Sequence, residues 1–250
     1  MPSPSKKIYF ASDLHLMQAP DAASRRRETD FIRWLDAVKS DAEAIFLLGD
    51  VFDFWFEYRN VVPRGFVRLL GKLCELTDSG IPVHYFTGNH DLWIRDYLPS
   101  ETGVVLHRHP TEFTFNDKLF LVGHGHNLGK LGFAKKLLRC IFGSGFLRMM
   151  FASIHPRWGV AVGGNWSKNN RRRHGLYEPF ENFEKEKIAA YLTQQLAKKP
   201  YDFFIFGHRH LSVDVRLSDT CRYINTGEWI EGYTYAVFDG SDVALHSFKK

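Results

Sequence analysis

Five short stretches hold the side chains whose types and spacing could do chemistry. They are Ser12-Asp13-Leu14-His15, Gly49-Asp50, Gly88-Asn89-His90-Asp91, Gly123-His124 and Gly207-His208-Arg209-His210. Each directly follows a short apolar run, so each is expected at the carboxyl end of a strand, where open α/β sheets bind their ligands. Carboxylates, imidazoles and one amide, with no thiolate among them, suit Mn²⁺, Fe or Zn²⁺ better than Ca²⁺ or an iron–sulfur cluster. Asp13-x-His15 and His208-x-His210 each put two side chains on the same side of an extended segment. Asp50 has two oxygens with which to bridge two ions. Such a pair, roughly 3.5–4 Å apart, clamps a phosphate and activates a water for in-line attack. Taken singly, Gly-Asp is mostly a turn and a lone His mostly a loop or core residue. Five together, in this order, point to a metal centre.

The elements that must position these residues can be read from hydrophobic periodicity. Ile8–Ala11, Ala44–Leu48 and Val83–Thr87 read as buried strands. Between them, residues 24–39 carry Phe31, Leu35 and Val38 at helical spacing, and residues 66–76 carry Leu69, Leu70 and Leu73. Gly80 stops the second helix and Pro82 leads into the third strand. Arg25-Arg26-Arg27 reads as nothing more than the opening of the first helix. This βαβαβ order predicts an α/β layered fold with a mostly parallel sheet. Further on, Phe113 and Phe115 alternate, Leu119–Val122 and Tyr201–Phe206 are apolar runs, and residues 181–199 return to a helix with Ile188, Leu192 and Leu196. Runs at 213–217, 221–225, 233–238 and 243–248 read as antiparallel strands.

The motifs DLH, GD, GNHD, GH and GHRH, in this order, resemble those of the calcineurin-like metallophosphoesterases. The resemblance covers residues 8–126 and 200–227 and implies an α/β sandwich of mixed sheets flanked by helices. It implies that Asp13, His15, Asp50 and His210 hold one divalent ion. Asp50, Asn89, His124 and His208 would hold the other. Mn²⁺ is the first expectation, with Fe or Zn²⁺ as alternatives. It further implies that His90 stabilises the phosphoryl transition state or protonates the leaving oxygen, and that Asp91 orients His90.

Two features narrow the substrate. Gly49-Asp50-Val51-Phe52-Asp53-Phe54-Trp55 is similar to the signature of the UDP-2,3-diacylglucosamine pyrophosphatase family of lipid A synthesis, whose members carry a helical lid between the fourth and fifth metal motifs. Here the rhythm breaks in that interval, so the expected organisation is a core of residues 1–126 and 175–250 with an inserted lid at 127–174. Residues 131–142 fit an amphipathic helix and 146–154 a second, shorter one. Asn165, Ser167, Lys168 and Arg171, with Asn89 and His90, are the expected substrate contacts. The expected substrate is a nucleotide-activated glycolipid.

Charge is distributed in keeping with this. Of 33 Lys and Arg, 11 fall between Lys118 and Tyr177, where none of the 28 Asp and Glu lies, so the rest of the chain is net acidic. One basic, apolar segment suits an anionic inner-membrane surface. Cys74, Cys140 and Cys221 are far apart and in no ligand spacing, which reads as reduced thiols. No signal peptide and no run of 18 apolar residues is evident. These features predict a cytoplasmic enzyme, peripherally bound to the inner membrane, with no obligate protein partner. A nucleotide phosphodiesterase or nuclease is the alternative enzyme. The insertion is aliphatic and lacks the aromatic platforms that stack bases, so no nucleic acid is expected. A non-catalytic binding scaffold of the same fold is the second alternative, and broken ligands would be its mark.

Overall fold

The computed structural model describes residues 6–18, 20–126, 128–129, 144–159 and 180–249. Among the described residues, eleven strands form two sheets. The first has the order β11-β10-β1-β2-β3-β4, built from β1 (Lys7–Ala11), β2 (Ala42–Leu47), β3 (Val83–Phe86), β4 (Val105–His107), β10 (Thr234–Phe238) and β11 (Val243–Ser247). The second has the order β5-β6-β7-β9-β8, from β5 (Thr111–Phe115), β6 (Lys118–Gly123), β7 (Phe203–Phe206), β8 (Ser212–Arg216) and β9 (Arg222–Thr226).

Alternation along β1 shows how the layers arise. Ile8 and Phe10 face the second sheet, while Tyr9 and Ala11 face the helices. Phenylalanine fills the gap between the sheets. Phe10, Phe46 and Phe86 of the first sheet share one cluster with Phe120 and Phe203 of the second, and the Phe10 and Phe120 rings stack across the gap with centroids 6.4 Å apart. The aromatics divide by type: phenylalanine packs between the sheets, while the core tryptophans Trp34, Trp55 and Trp229 lie on the helix side. On the outer face of the first sheet lie α1 (Ala22–Val38), α2 (Val67–Asp78) and α3 (Tyr97–Thr102), burying Phe31, Trp34, Leu69 and Leu73. α1 begins where Asp21 accepts the Ser24 N–H at 2.7 Å. α4 (Gly145–Ala152) is separate from these. α5 (Ala189–Leu196) covers the second sheet through Ile188 and Leu192.

The expected βαβαβ core stands, with β1 to β4 parallel. The sheets are mixed overall, because β10 pairs antiparallel with β1 and β11 with β10. The carboxyl-terminal strands are antiparallel within the hairpins β8–β9 and β10–β11 and where β10 meets β1; β9 alone of them pairs parallel, with β7, and the two hairpins belong to different sheets. The expected helix at 181–199 is shorter. A 3₁₀ turn at Phe183–Lys185, capped by the Asn182 side chain, precedes α5. Among the described residues, no helix is long and apolar enough to cross a membrane.

Candidate metal centre

The ligand-bearing motifs sit where the sequence places them, just beyond the carboxyl ends of β1, β2 and β3 in one sheet and β6 and β7 in the other. The structure brings them together. Asp13, His15, Asp50 and His210 each offer a ligand atom within 4.8 Å of the others, and Asp50, His124 and His208 form a second such group. His210 Nε2 is 3.1 Å from Asp13 Oδ1 and 3.1 Å from His15 Nε2. Asp50 joins the two groups, and through one oxygen: Oδ1 accepts the His90 N–H at 2.8 Å, while Oδ2 lies 3.8 Å from His15 Nε2 and 3.4 Å from His124 Nε2.

Backbone geometry explains both the glycines and the crowding. Asp13, His15, Asp50, His208 and His210 all have positive φ, between 46° and 70°, a region that non-glycine residues seldom occupy. Strain of this kind persists only where surrounding structure over-determines it, and it clusters at functional sites. Gly88 has ordinary φ, yet a Cβ there would stand 2.5 Å from the Asp50 N and closer still to its carboxylate. A Cβ on Gly207 would press on Ser12 Oγ and Asp13 Oδ2. These glycines let neighbouring strand ends approach closely enough for their ligands to converge.

The electrostatics follow from the packing. Burial opposes ionisation of Asp13, but His210 and His15 outweigh it and hold the carboxyl well below its usual range. Burial likewise opposes a charge on His15, and Asp13, Asp53 and Asp50 reverse this, raising it to about 10. His124 is raised to about 9, burial being overcome by Asp50 and Asp13. In a pocket this acidic, divalent cations can replace the imidazole protons. The Oδ1 of Asn89 is buried with no hydrogen-bond partner, an acceptor that a cation would satisfy. The donor set and this orphaned oxygen fit a two-ion centre.

Asp91 makes contacts other than the one its expected role describes. Its carboxylate accepts from the Gly88 N–H at 2.6 Å, the Val51 N–H at 3.0 Å and the Tyr85 hydroxyl at 2.6 Å. It therefore braces the loops that carry Asp50 and Asn89. The His90 ring is held by Asp53, whose backbone carbonyl accepts from His90 Nδ1 at 3.0 Å; Asp53 Oδ1 stands 3.8 Å from the same nitrogen and 3.5 Å from His15 Nδ1. Asp53 was visible in the sequence only as part of a signature. Arg27 was also missed: it is buried, and its guanidinium donates to the His15 carbonyl at 3.2 Å, so it does more than open a helix.

Of the expected substrate contacts, Asn89 and His90 lie in the centre, while Asn165, Ser167, Lys168 and Arg171 fall outside the described residues, as does the helix expected at 131–142. The second expected helix is α4. Its Phe151 packs 5.3 Å from Trp93 and 4.7 Å from Phe56, in the loops after β2 and β3. Phe146, Met149, Met150, Ile154 and Trp158 are exposed there.

The calcineurin-like phosphoesterase family model matches residues 6–212, and the chain belongs to that family. A UDP-2,3-diacylglucosamine hydrolase from Porphyromonas gingivalis (strain ATCC BAA-308 / W83) is 38% identical over 97% of this chain and 98% of that protein. One of the same name from Shewanella sp. (strain MR-4) is 24% identical over 96% of this chain and 97% of its own length. Among solved structures, Yfce, a phosphoesterase from E. coli, matches with a TM-score of 0.48 and 15% identity over 97% of this chain and 93% of that one.

Proposed function

We propose that this chain hydrolyses the diphosphate of UDP-2,3-diacylglucosamine to UMP and 2,3-diacylglucosamine 1-phosphate in lipid A synthesis. The observation that carries the reading is a full ligand constellation in a chain that aligns end to end with a relative bearing that name. Asp13, His15, Asp50 and His210 would hold one ion, and Asp50, Asn89, His124 and His208 the other, with Mn²⁺ the metal. When bound, the ions would polarise the phosphoryl oxygens and activate the attacking water. His90 would stabilise the phosphoryl transition state or, with Nε2 also protonated, give a proton to the leaving oxygen. A carbonyl can only accept, so the bond to Asp53 places a proton on His90 Nδ1 and leaves Nε2 as the exchanging atom.

Residues 127–174 would form a lid inserted in a core of 1–126 and 175–250, with Asn165, Ser167, Lys168 and Arg171 directed to phosphate or sugar. The exposed Phe146, Met149, Met150, Ile154 and Trp158 support docking on a cytoplasmic, anionic inner-membrane surface, with the basic residues around them adding attraction.

The test is UMP release from UDP-2,3-diacylglucosamine with Mn²⁺, run beside Asp50→Ala and His90→Ala. Turnover lost in both variants supports substrate and site together. A wild type that cleaves an aryl phosphodiester with Mn²⁺ but ignores the lipid removes the substrate assignment and keeps the metal centre.

A further inference from the structure

Arg209 stands between two of the residues assigned to the metals, and both neighbours are strained: His208 has φ 70° and His210 φ 54°. Some of what holds this loop is clear. The His208 N–H donates to Asp13 Oδ2 at 2.8 Å, the Gly207 N–H to the His124 carbonyl at 3.0 Å, and Asn225 Nδ2 to the Gly207 carbonyl at 2.6 Å. These contacts fix the front half of the loop. The back half is reached by Arg209, which forms a two-pronged ion pair with Glu186, Nε to Oε2 at 2.8 Å and Nη2 to Oε1 at 3.0 Å.

The pair is mostly out of water, with the side chains 19% and 9% exposed. Desolvation makes such a pair a poor investment in stability alone, since apolar residues of similar volume often do as well. Its planar, bidentate geometry does supply direction. Glu186 is itself rigidly placed: its N–H bonds the Phe183 carbonyl, and its carbonyl accepts the Ala189 N–H that begins α5, both at 3.0 Å. It also lies on the segment that follows the proposed lid. Gly129, near the start of that proposed lid, abuts the Lys187 carbonyl, next to Glu186 in the chain.

We propose that Arg209 and Glu186 are positioning residues, a clamp that keeps the strained His208–His210 loop in its metal-facing geometry by fastening it to the turn that precedes α5. This rests on the metal-centre reading above. Neither side chain touches substrate; the clamp acts through His208 and His210.

The test compares the full chain, stripped of metal and titrated with Mn²⁺, with Arg209→Met, Arg209→Lys, Glu186→Gln and the double variant Arg209→Met/Glu186→Leu. Each single variant is expected to bind Mn²⁺ about 10–100-fold more weakly, Arg209→Lys least affected, with a fall in kcat on bis(p-nitrophenyl) phosphate. The double variant leaves no orphan charge, so its Tm should recover while its Mn²⁺ affinity stays at least about tenfold weak. The idea is overturned if the double variant regains affinity together with stability, because the pair is then merely structural. It is equally overturned if a folded Glu186→Gln binds Mn²⁺ within twofold of wild type. Should Arg209→Met not fold, Glu186→Gln and the double variant decide. A wild type that binds neither Mn²⁺ nor Zn²⁺ removes the metal-centre reading, and the clamp falls with it.

Discussion

Adding one methyl group at Gly88 should switch off the metal centre while leaving the backbone free of dihedral strain. Gly88 does not sit at positive φ, so alanine is conformationally acceptable there. Its Cβ, however, would lie 2.5 Å from the Asp50 N, whereas carbon is comfortable only beyond about 3.4 Å. Asp50 and the β3 end must therefore part by about 1 Å, and the Asp50 carboxylate, nearer still, must swing away. That motion breaks the 2.8 Å bond from the His90 N–H that aims Asp50 Oδ2 at both ligand groups. A misplacement of about 1 Å can cost roughly 100-fold in rate, or about 2.7 kcal/mol of barrier. Overpacking adds a stability loss of about 1–3 kcal/mol. The assay is hydrolysis of bis(p-nitrophenyl) phosphate at saturating Mn²⁺, with bound metal per chain and Tm measured on the same preparation. Gly71→Ala is the control. It lies exposed in α2 with nothing near its would-be Cβ, and should raise stability by about 0.5–1 kcal/mol at unchanged rate. A Gly88→Ala protein with wild-type metal content and a rate within about threefold of wild type would refute the reasoning, whatever its Tm.

Tyr85→Phe removes a donor from the fully buried Asp91 brace and should cost about 1–3 kcal/mol in urea unfolding; no measurable loss would mean that the brace is dispensable. Stripping metal with a chelator should lower Tm, and Mn²⁺ at about 100 times its Kd should restore about 2.7 kcal/mol, some 5–10 °C for a chain of this size. His84 gives a pH-dependent prediction. Burial, and then the neighbouring His107 (Nδ1 to Nε2 2.9 Å), lower its pKa from 6.5 to about 4. Between those values the unfolded chain binds the extra proton, so the stability contribution is complete above pH 6.5 and drains away as pH falls toward 4. His84 is only half-buried, so solvent trims the amplitude. Urea unfolding at pH 7, 5.5 and 4.5 should show a shallower acid loss for His84→Gln than for wild type, and identical slopes would count against this account.

Much of the centre was legible because its ligands are tied to strand ends, and strand ends are marked by apolar runs followed by glycine. Convergence on one edge could be inferred for the strands of a parallel sheet, whose carboxyl ends lie together; that the ligands come from two sheets was given only by the family resemblance. The helpers were harder. Asp91 is next to His90 in sequence but points to Gly88, Val51 and Tyr85, because consecutive side chains diverge. Asp53, 37 positions away, is the one that meets the ring. Arg27 looked like helix surface because burial of a guanidinium depends on a neighbouring loop, here the His15 carbonyl, that no local pattern reports. Strand runs at the carboxyl end were visible, but their division between two sheets depends on long-range pairing that short windows do not encode.

The contact between Asp13 and His208 spans 195 residues. At about 5–20 residues per second, ribosomal synthesis leaves Asp13 waiting roughly 10–40 s for its partners to emerge. During that interval the first three strands can pair, and Asp13, His15, Asp50 and Asn89 can gather into an acidic half-site with three imidazole ligands, His124, His208 and His210, still to come. A cation captured then would be held loosely and exchangeably. Tight metal binding by such a centre would have to wait until the carboxyl-terminal strands are in place.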